Sequence, residues 1–408
     1  MFNPYFFTIL LYVFLAVLGA LDASLVGYEV IPWVNGLRWM RIHLVTLGIM
    51  TQFIFAVAPA LVALRSNLPR PKFRWDIWAT LNVGMMALLY GIPLVNLPVI
   101  LVGGTLIFIA ATLLMWQLYQ MRRQRKTPVA GSGAFADPHT GRKFYIAGLS
   151  YLLFGIFIGT GLWMGLPGLL RMATPVEVHI HANNWGFMSL VFAGLIVDAY
   201  PRFAGRPLAW PRSITPIFWL MVFGALGLTL GPWFKSLYFT VPGLLLHLAG
   251  TIWLVLNVVK PLLGDRKAWT PGMWHLVSAY FWILAPVLTA PFVILGVPGI
   301  AGHAVEANAP QALIYGWVLQ VGYALLPYFV RRTLQPDQPA RLGGNWFSLV
   351  TVNLGGLFLW LSIFITPAYG LLLGTAYALW ALSLLPIARE LFQSLRQGMD
   401  RLEETVPA

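Results

Sequence analysis

Gly48-Ile-Met-Thr-Gln52-Phe-Ile-Phe-Ala56-Val-Ala-Pro59 and Gly316-Trp-Val-Leu-Gln320-Val-Gly-Tyr-Ala324-Leu-Leu-Pro327 share the pattern Gly-x3-Gln-x3-Ala-x2-Pro. Such offsets put the shared residues along one helix face. A looser copy between them reads Gly186-x3-Leu190-x3-Gly194, then Pro201-Arg202. A second set repeats in parallel: Gly104-Thr-Leu-Ile-Phe108, Gly243-Leu-Leu-Leu-His247 and Gly370-Leu-Leu-Leu-Gly374. Trp253 and Trp380 each follow their glycine by ten residues, and Asn82/Gly84 matches Asn353/Gly355. Gly48 to Gly186 is 138 positions and Gly186 to Gly316 is 130; Gly104 to Gly243 is 139 and Gly243 to Gly370 is 127. Independent sets with one period predict an internal threefold repeat.

Each copy lies in a long apolar run. Of 408 residues, 59% are hydrophobic and 10% charged, against about 25% charged in soluble domains. So few charges cannot cover a water-facing surface. The 18 Trp, 15 Tyr and 26 Phe suit the aromatic belts of a membrane protein. A spanning helix needs about 20 apolar residues, and twelve stretches qualify: 5–21, 43–64, 76–93, 97–119, 144–167, 179–200, 214–231, 237–260, 272–296, 306–330, 345–365 and 367–389. The first, Tyr5–Leu21, has no basic leader and no small-residue cleavage site, so it reads as a retained helix. The expectation is an all-α polytopic membrane protein forming a single membrane domain over 1–408. Its twelve transmembrane helices fall into three pseudosymmetric four-helix units, about 1–126, 143–267 and 272–396, joined by polar linkers at Thr127–Arg142 and Gly264–Pro271. Three units of four argue against the two six-helix halves of facilitator-type transporters.

The net charge of +13 reads as topology. Of 26 Lys and Arg, 22 fall in alternate loops and termini, leaving Arg38, Arg41, Arg171 and Lys235 on the other side. The positive-inside rule makes the rich side cytoplasmic, with both termini there; a nucleic-acid partner is excluded. There is no cysteine, which removes disulfides, iron–sulfur clusters, thiolate copper sites and thioether-linked haem. Any metal falls to His, Met, Tyr or carboxylates.

Seven histidines remain. His139 reads as a solvated loop residue and His275 as an interfacial polar cap. Asp22 and Asp198, at helix ends, read as cap or loop contacts. His43, His179, His181 and His303 gather at the outer ends of their stretches. His247 lies ten residues into its helix, about 15 Å deep at 1.5 Å per residue. Neutral imidazole is the commonest metal ligand, and ionisable groups inside membranes are usually functional. His43 and His181 each stand five residues before a repeat glycine, where the third copy has Gln311. Two imidazoles at one repeat position suit the two faces of a single haem. His179 and His181, about 200° apart around the helix, serve opposite sides.

The run His179-Ile-His181-Ala-Asn-Asn-Trp-Gly186 through Asp198-Ala-Tyr-Pro201-Arg202-Phe-Ala-Gly205 resembles the haem-binding helix of haem–copper oxidase catalytic subunits, nearest to the C-type oxidases and NnrS-like haem proteins. His43-Leu-Val-Thr-Leu-Gly48 through Pro59-Ala-Leu resembles their low-spin-haem helix. The likeness covers two helices at motif level and the chain at fold level. The resemblance implies twelve helices in three arcs, cytoplasmic termini and haems in the outer half of a prokaryotic inner membrane. The copper site is incomplete, because stretch 214–231 holds no His; copper is left open. The implied function is a b-haem membrane protein, with one or two haems, that handles a diatomic such as nitric oxide or transfers electrons in respiration. His43 and His181 are the expected ligands of one haem iron, with His179, His247 and His303 lining a second site. Partners would be the bilayer, other respiratory subunits, and quinol or a soluble cytochrome. The alternatives are an oxygen or nitric oxide reductase with an unusual centre at His43, His179 and His247, a transporter, or a non-catalytic membrane subunit.

Overall fold

The computed structural model describes residues 3–34, 36–124, 141–300 and 302–405. The polar linker 127–142 and His139 fall largely or wholly outside them. The chain is all-helical, 83% helix with no strand among the described residues. Among the described residues, eleven helices are long and apolar enough to cross a bilayer: α1 Pro4–Gly27, α2 Leu37–Arg65, α4 Leu97–Met121, α5 Arg142–Met164, α6 Pro175–Phe203, α7 Pro211–Phe234, α8 Leu237–Leu262, α9 Pro271–Ile294, α10 Ala307–Leu334, α11 Trp346–Phe364 and α12 Thr366–Arg401. The remaining stretch is α3 Trp75–Gly91, whose 17 residues rise about 26 Å at 1.5 Å each.

Local signals explain where the helices begin. Asn3 caps α1 by accepting the Tyr5 N–H, with Pro4 in the first turn. Thr270 caps α9 in the same way ahead of Pro271, and Asn345 and Ser348 form a reciprocal capping box on α11. Proline suits a first turn because its missing N–H would have had no helical partner there.

Two helices begin earlier than their hydropathy suggests. α2 starts at Leu37 and α6 at Pro175, so His43, His179 and His181 lie one to two turns inside their helices rather than at the tips. His303 also falls within a helical segment, Gly302–Ala312, that leads into α10; its side chain is not among those described.

By packing, the chain divides into two compact units, Met1–Phe53 with Asp265–Ala408, and Ile54–Gly264. In the first, the apolar stretch of α10 is wholly buried; in the second, α6 is the most buried helix. α1 packs on α12 in the first unit, where Gly27 and Gly374 bring the two backbones together.

Helices α2, α6 and α10 each contain a wide π-helical stretch: Leu44–Thr51, Ala182–Met188 and Leu313–Val318. Each stretch holds its repeat glycine, Gly48, Gly186 or Gly316. Ser189 N–H reaches the Asn184 carbonyl and Leu319 N–H the Ile314 carbonyl, both five residues back. A Cβ on these glycines would overlap Tyr12 of α1, Tyr151 of α5 and Trp282 of α9 respectively. The absent side chain is therefore what lets each aromatic lie on the turn. Tyr151 then donates its hydroxyl to the Val222 carbonyl of α7 at 2.9 Å. Trp282 donates Nε1–H to Asn353 of α11 at 2.8 Å. One ring thus joins three helices in each case.

In the unit Ile54–Gly264, a buried carboxylate ties three elements together. Asp198 accepts from Arg65 Nε at 3.2 Å, from the Gly141 N–H at 2.8 Å and from the Tyr145 hydroxyl at 2.9 Å. It is 1% exposed and lies within α6, where it caps the start of α5. Removing one partner of such a buried pair leaves an uncompensated charge.

Candidate functional site

The site is built on the first half of α6. Thr174 N–H bonds the Pro232 carbonyl at 3.2 Å and Ala173 N–H bonds the Trp233 carbonyl at 2.9 Å. These bonds cap the end of α7 and fix the start of α6 beside it. Thr174 also donates its hydroxyl to Glu177 at 3.0 Å.

That anchoring sets His181 against α7. Leu228 would normally give its carbonyl to the N–H four residues on, but position 232 is proline and has none. The freed carbonyl lies 2.6 Å from His181 Nδ1. A carbonyl can only accept, so Nδ1 carries the hydrogen and Nε2 keeps the lone pair. A metal-ligating imidazole is commonly held in this way, its second nitrogen donating to a carbonyl or carboxylate.

His179 faces the other flank, as two residues on a helix require. Its Nδ1 lies 2.8 Å from the Gly155 carbonyl of α5. Its ring occupies the space a side chain at Gly159 would fill, and Asn183 occupies that of Gly155. Asn183 further bonds the His179 carbonyl at 2.8 Å. His247 of α8 sits on the wide turn itself. Its Nε2 is 3.3 Å from the Trp185 carbonyl and its Nδ1 3.3 Å from the Thr251 hydroxyl. Gly224 of α7 makes room for the His247 backbone. Both nitrogens are therefore engaged with protein, which gives His247 a bracing part in this arrangement. Ser189, at the end of the turn, is buried with no hydrogen-bond partner for its hydroxyl among the described residues. With one residue absorbed by the wide turn, it follows His181 by about two helical turns and falls on the same face.

In the other unit, His43 Nδ1 lies 2.8 Å from its own helix's Trp39 carbonyl, and the Trp39 ring stacks on the imidazole at 4.1 Å. Its tautomer is fixed as in His179 and His181. Gln311, at the matching position of α10, accepts from the Tyr377 hydroxyl. Nearby Arg41 is buried between the rings of Trp33 and Tyr377 and lies 3.9 Å from Asp22. Asp22 therefore lies inside α1, which runs on to Gly27, and pairs with a residue of α2 rather than capping a helix end.

Among the described residues no three His, Cys, Asp or Glu side chains gather as a metal-binding group. Haem iron needs only one or two imidazoles, and the donor set here suits it: lone-pair Nε2 atoms with the opposite nitrogen fixed. His275 corrects an expectation. It is fully buried, not an interfacial cap, because α10 and the loop before α11 close over it. Neither a protein-family model nor a curated protein matches the chain.

Proposed function

We propose that this chain is a b-haem-binding membrane protein of the haem–copper oxidase type, with imidazoles of α2 and α6 as iron ligands. It crosses a prokaryotic inner membrane twelve times, α3 included, in three four-helix units with both termini in the cytoplasm. The observation that carries the haem reading is the His181–Leu228 bond, because Pro232 frees a carbonyl at the one place where it fixes the imidazole for metal binding. His43 is assigned with His181 because both stand five residues before a turn glycine. The three wide turns, each under an aromatic from the helix before, support the threefold organisation. The unpaired Ser189 hydroxyl offers a polar contact on the same face of α6, about two turns beyond His181. A bound haem would supply one-electron chemistry and affinity for a diatomic such as nitric oxide; with no cysteine, electrons come from quinol or from another chain.

A second reading has specific support. His247 has both nitrogens in protein hydrogen bonds, and His43, His179 and His181 each spend one on a carbonyl, as structural histidines of a transporter or a non-catalytic subunit would. Purified protein separates the two. A pyridine haemochrome of b type, with metal analysis showing iron and no stoichiometric copper, supports the haem reading. A colourless, iron-free protein from haem-replete cells contradicts it.

A further inference from the structure

A buried polar network in the unit containing α9–α12 uses none of the residues assigned above. His275 of α9 places Nδ1 3.3 Å from Gln320 Oε1 and Nε2 2.8 Å from Ser348 Oγ. The direction of these bonds follows from one indole. Trp282 can only donate, so the atom it meets at 2.8 Å is Asn353 Oδ1. Asn353 then turns its amide nitrogen to Gln320 Oε1 at 3.2 Å, and Gln320 Nε2 goes to the Gly316 carbonyl at 2.6 Å. Gln320 thus shows His275 an acceptor, and Ser278 donates to the same oxygen at 3.0 Å. Nδ1 must carry the hydrogen, and Nε2 of the neutral ring holds the lone pair.

The partner of Nε2 is a hydroxyl with a second acceptor in reach. Ser348 Oγ lies 2.9 Å from the Asn345 carbonyl and receives the Asn345 N–H at 3.0 Å. With His275 neutral, the Ser348 hydroxyl donates to Nε2. With Nε2 protonated, the ring donates to Ser348 Oγ and the hydroxyl turns to the Asn345 carbonyl. Neither state strands the ring or the hydroxyl. Ser348 is buried while Asn345 is exposed, so this hydroxyl connects the buried ring to the surface.

Gly344, at φ +83, lies so close that a Cβ would overlap the ring; the loop backbone is thereby held against it. The other groups facing the ring are the Tyr323 side chain, edge-on at 5.3 Å, and, through the Gly344 N–H, Glu390 at 3.2 Å. Glu390 is already paired with Arg331, which also bonds the Arg341 carbonyl.

We propose that His275 is a reversible proton-binding site inside the membrane span, exchanging one proton with water through Ser348 at the Asn345 end. The Ser348 hydrogen passes to the Nε2 lone pair while Ser348 Oγ takes a proton from hydronium at the Asn345 end, releasing water; the new hydroxyl hydrogen turns to the Asn345 carbonyl, and the site gains one positive charge. The proposal is independent of haem.

Nitrogen-15 histidine-labelled full-length protein in liposomes, followed by solid-state NMR, tests it. His275→Gln identifies the ring signals; should that variant not fold, the single histidine perturbed by Ser348→Ala does so. The expected result is the Nδ1-protonated neutral ring at pH 8, converting reversibly to imidazolium by pH 4. Ser348→Ala should lower the midpoint by up to about one pH unit, because the hydrogen bond lost from the charged ring is stronger than the one lost from the neutral ring. The Nε2-protonated tautomer at pH 8, no imidazolium at pH 4, or an unchanged midpoint in Ser348→Ala would each overturn the proposal.

Discussion

α6 and α10 make the same wide turn and surround it with different chemistry. Ahead of the turn in α6 stand His179 and His181, each fixed by a backbone carbonyl. At the matching place in α10 stands Gln311, accepting from Tyr377, and beyond the turn Gln320 joins an amide network. Twelve residues past the turn glycine, α6 has the buried Asp198 and α10 has Tyr328. What the helices share is steric: a glycine with an aromatic ring seated on it. The shared turn is scaffold, and the side chains at fixed offsets from it decide what the scaffold holds.

The strongest way to break the α6 half is at its carboxylate. Asp198→Ala should cost about 3–5 kcal/mol, since Arg65 is left buried without its counter-charge; denaturation of detergent-solubilised protein reads it. A loss below 1 kcal/mol would show that Arg65 finds water. The shared scaffold predicts that Gly186→Ala and Gly316→Ala destabilise alike, each by about 1–3 kcal/mol of overpacking. A tolerated change in one helix and not the other would mean that the turns are not equivalent. Pro232→Ala returns an N–H that competes for the Leu228 carbonyl, so haem affinity should fall about tenfold with the fold intact; haem titration of the apoprotein measures it. The smallest effect is Thr251→Val, which takes the hydroxyl from His247 and should cost about 1 kcal/mol without altering any haem spectrum.

The membrane class was legible because the apolar runs match a bilayer's thickness and the loops alternate in charge. The start of α2 was hidden by Arg38 and Arg41, which read as a polar loop; Arg41 is instead buried between two aromatic rings. The start of α6 was legible in principle from Thr174-Pro175-x-Glu177, a helix-entry signal. The wide turns have no residue signature. Their glycines stand out in the repeat, but a glycine reads equally as close helix packing. The His275 network depends on which faces of α9, α10 and α11 meet, and periodicity within one helix does not carry that. Likewise the pairing of His181 with Leu228 became readable only once Pro232 was known to lie beside it.

The most direct test of the haem assignment is the reduced-minus-oxidised optical spectrum of haem-replete wild-type protein beside His43→Ala and His181→Ala, with His275→Gln as control. Sharp low-spin α and β bands are expected in the wild type and control, with little carbon monoxide binding to that haem and loss of the bands in each of the two alanine variants. A low-spin spectrum that survives both substitutions would contradict the haem assignment.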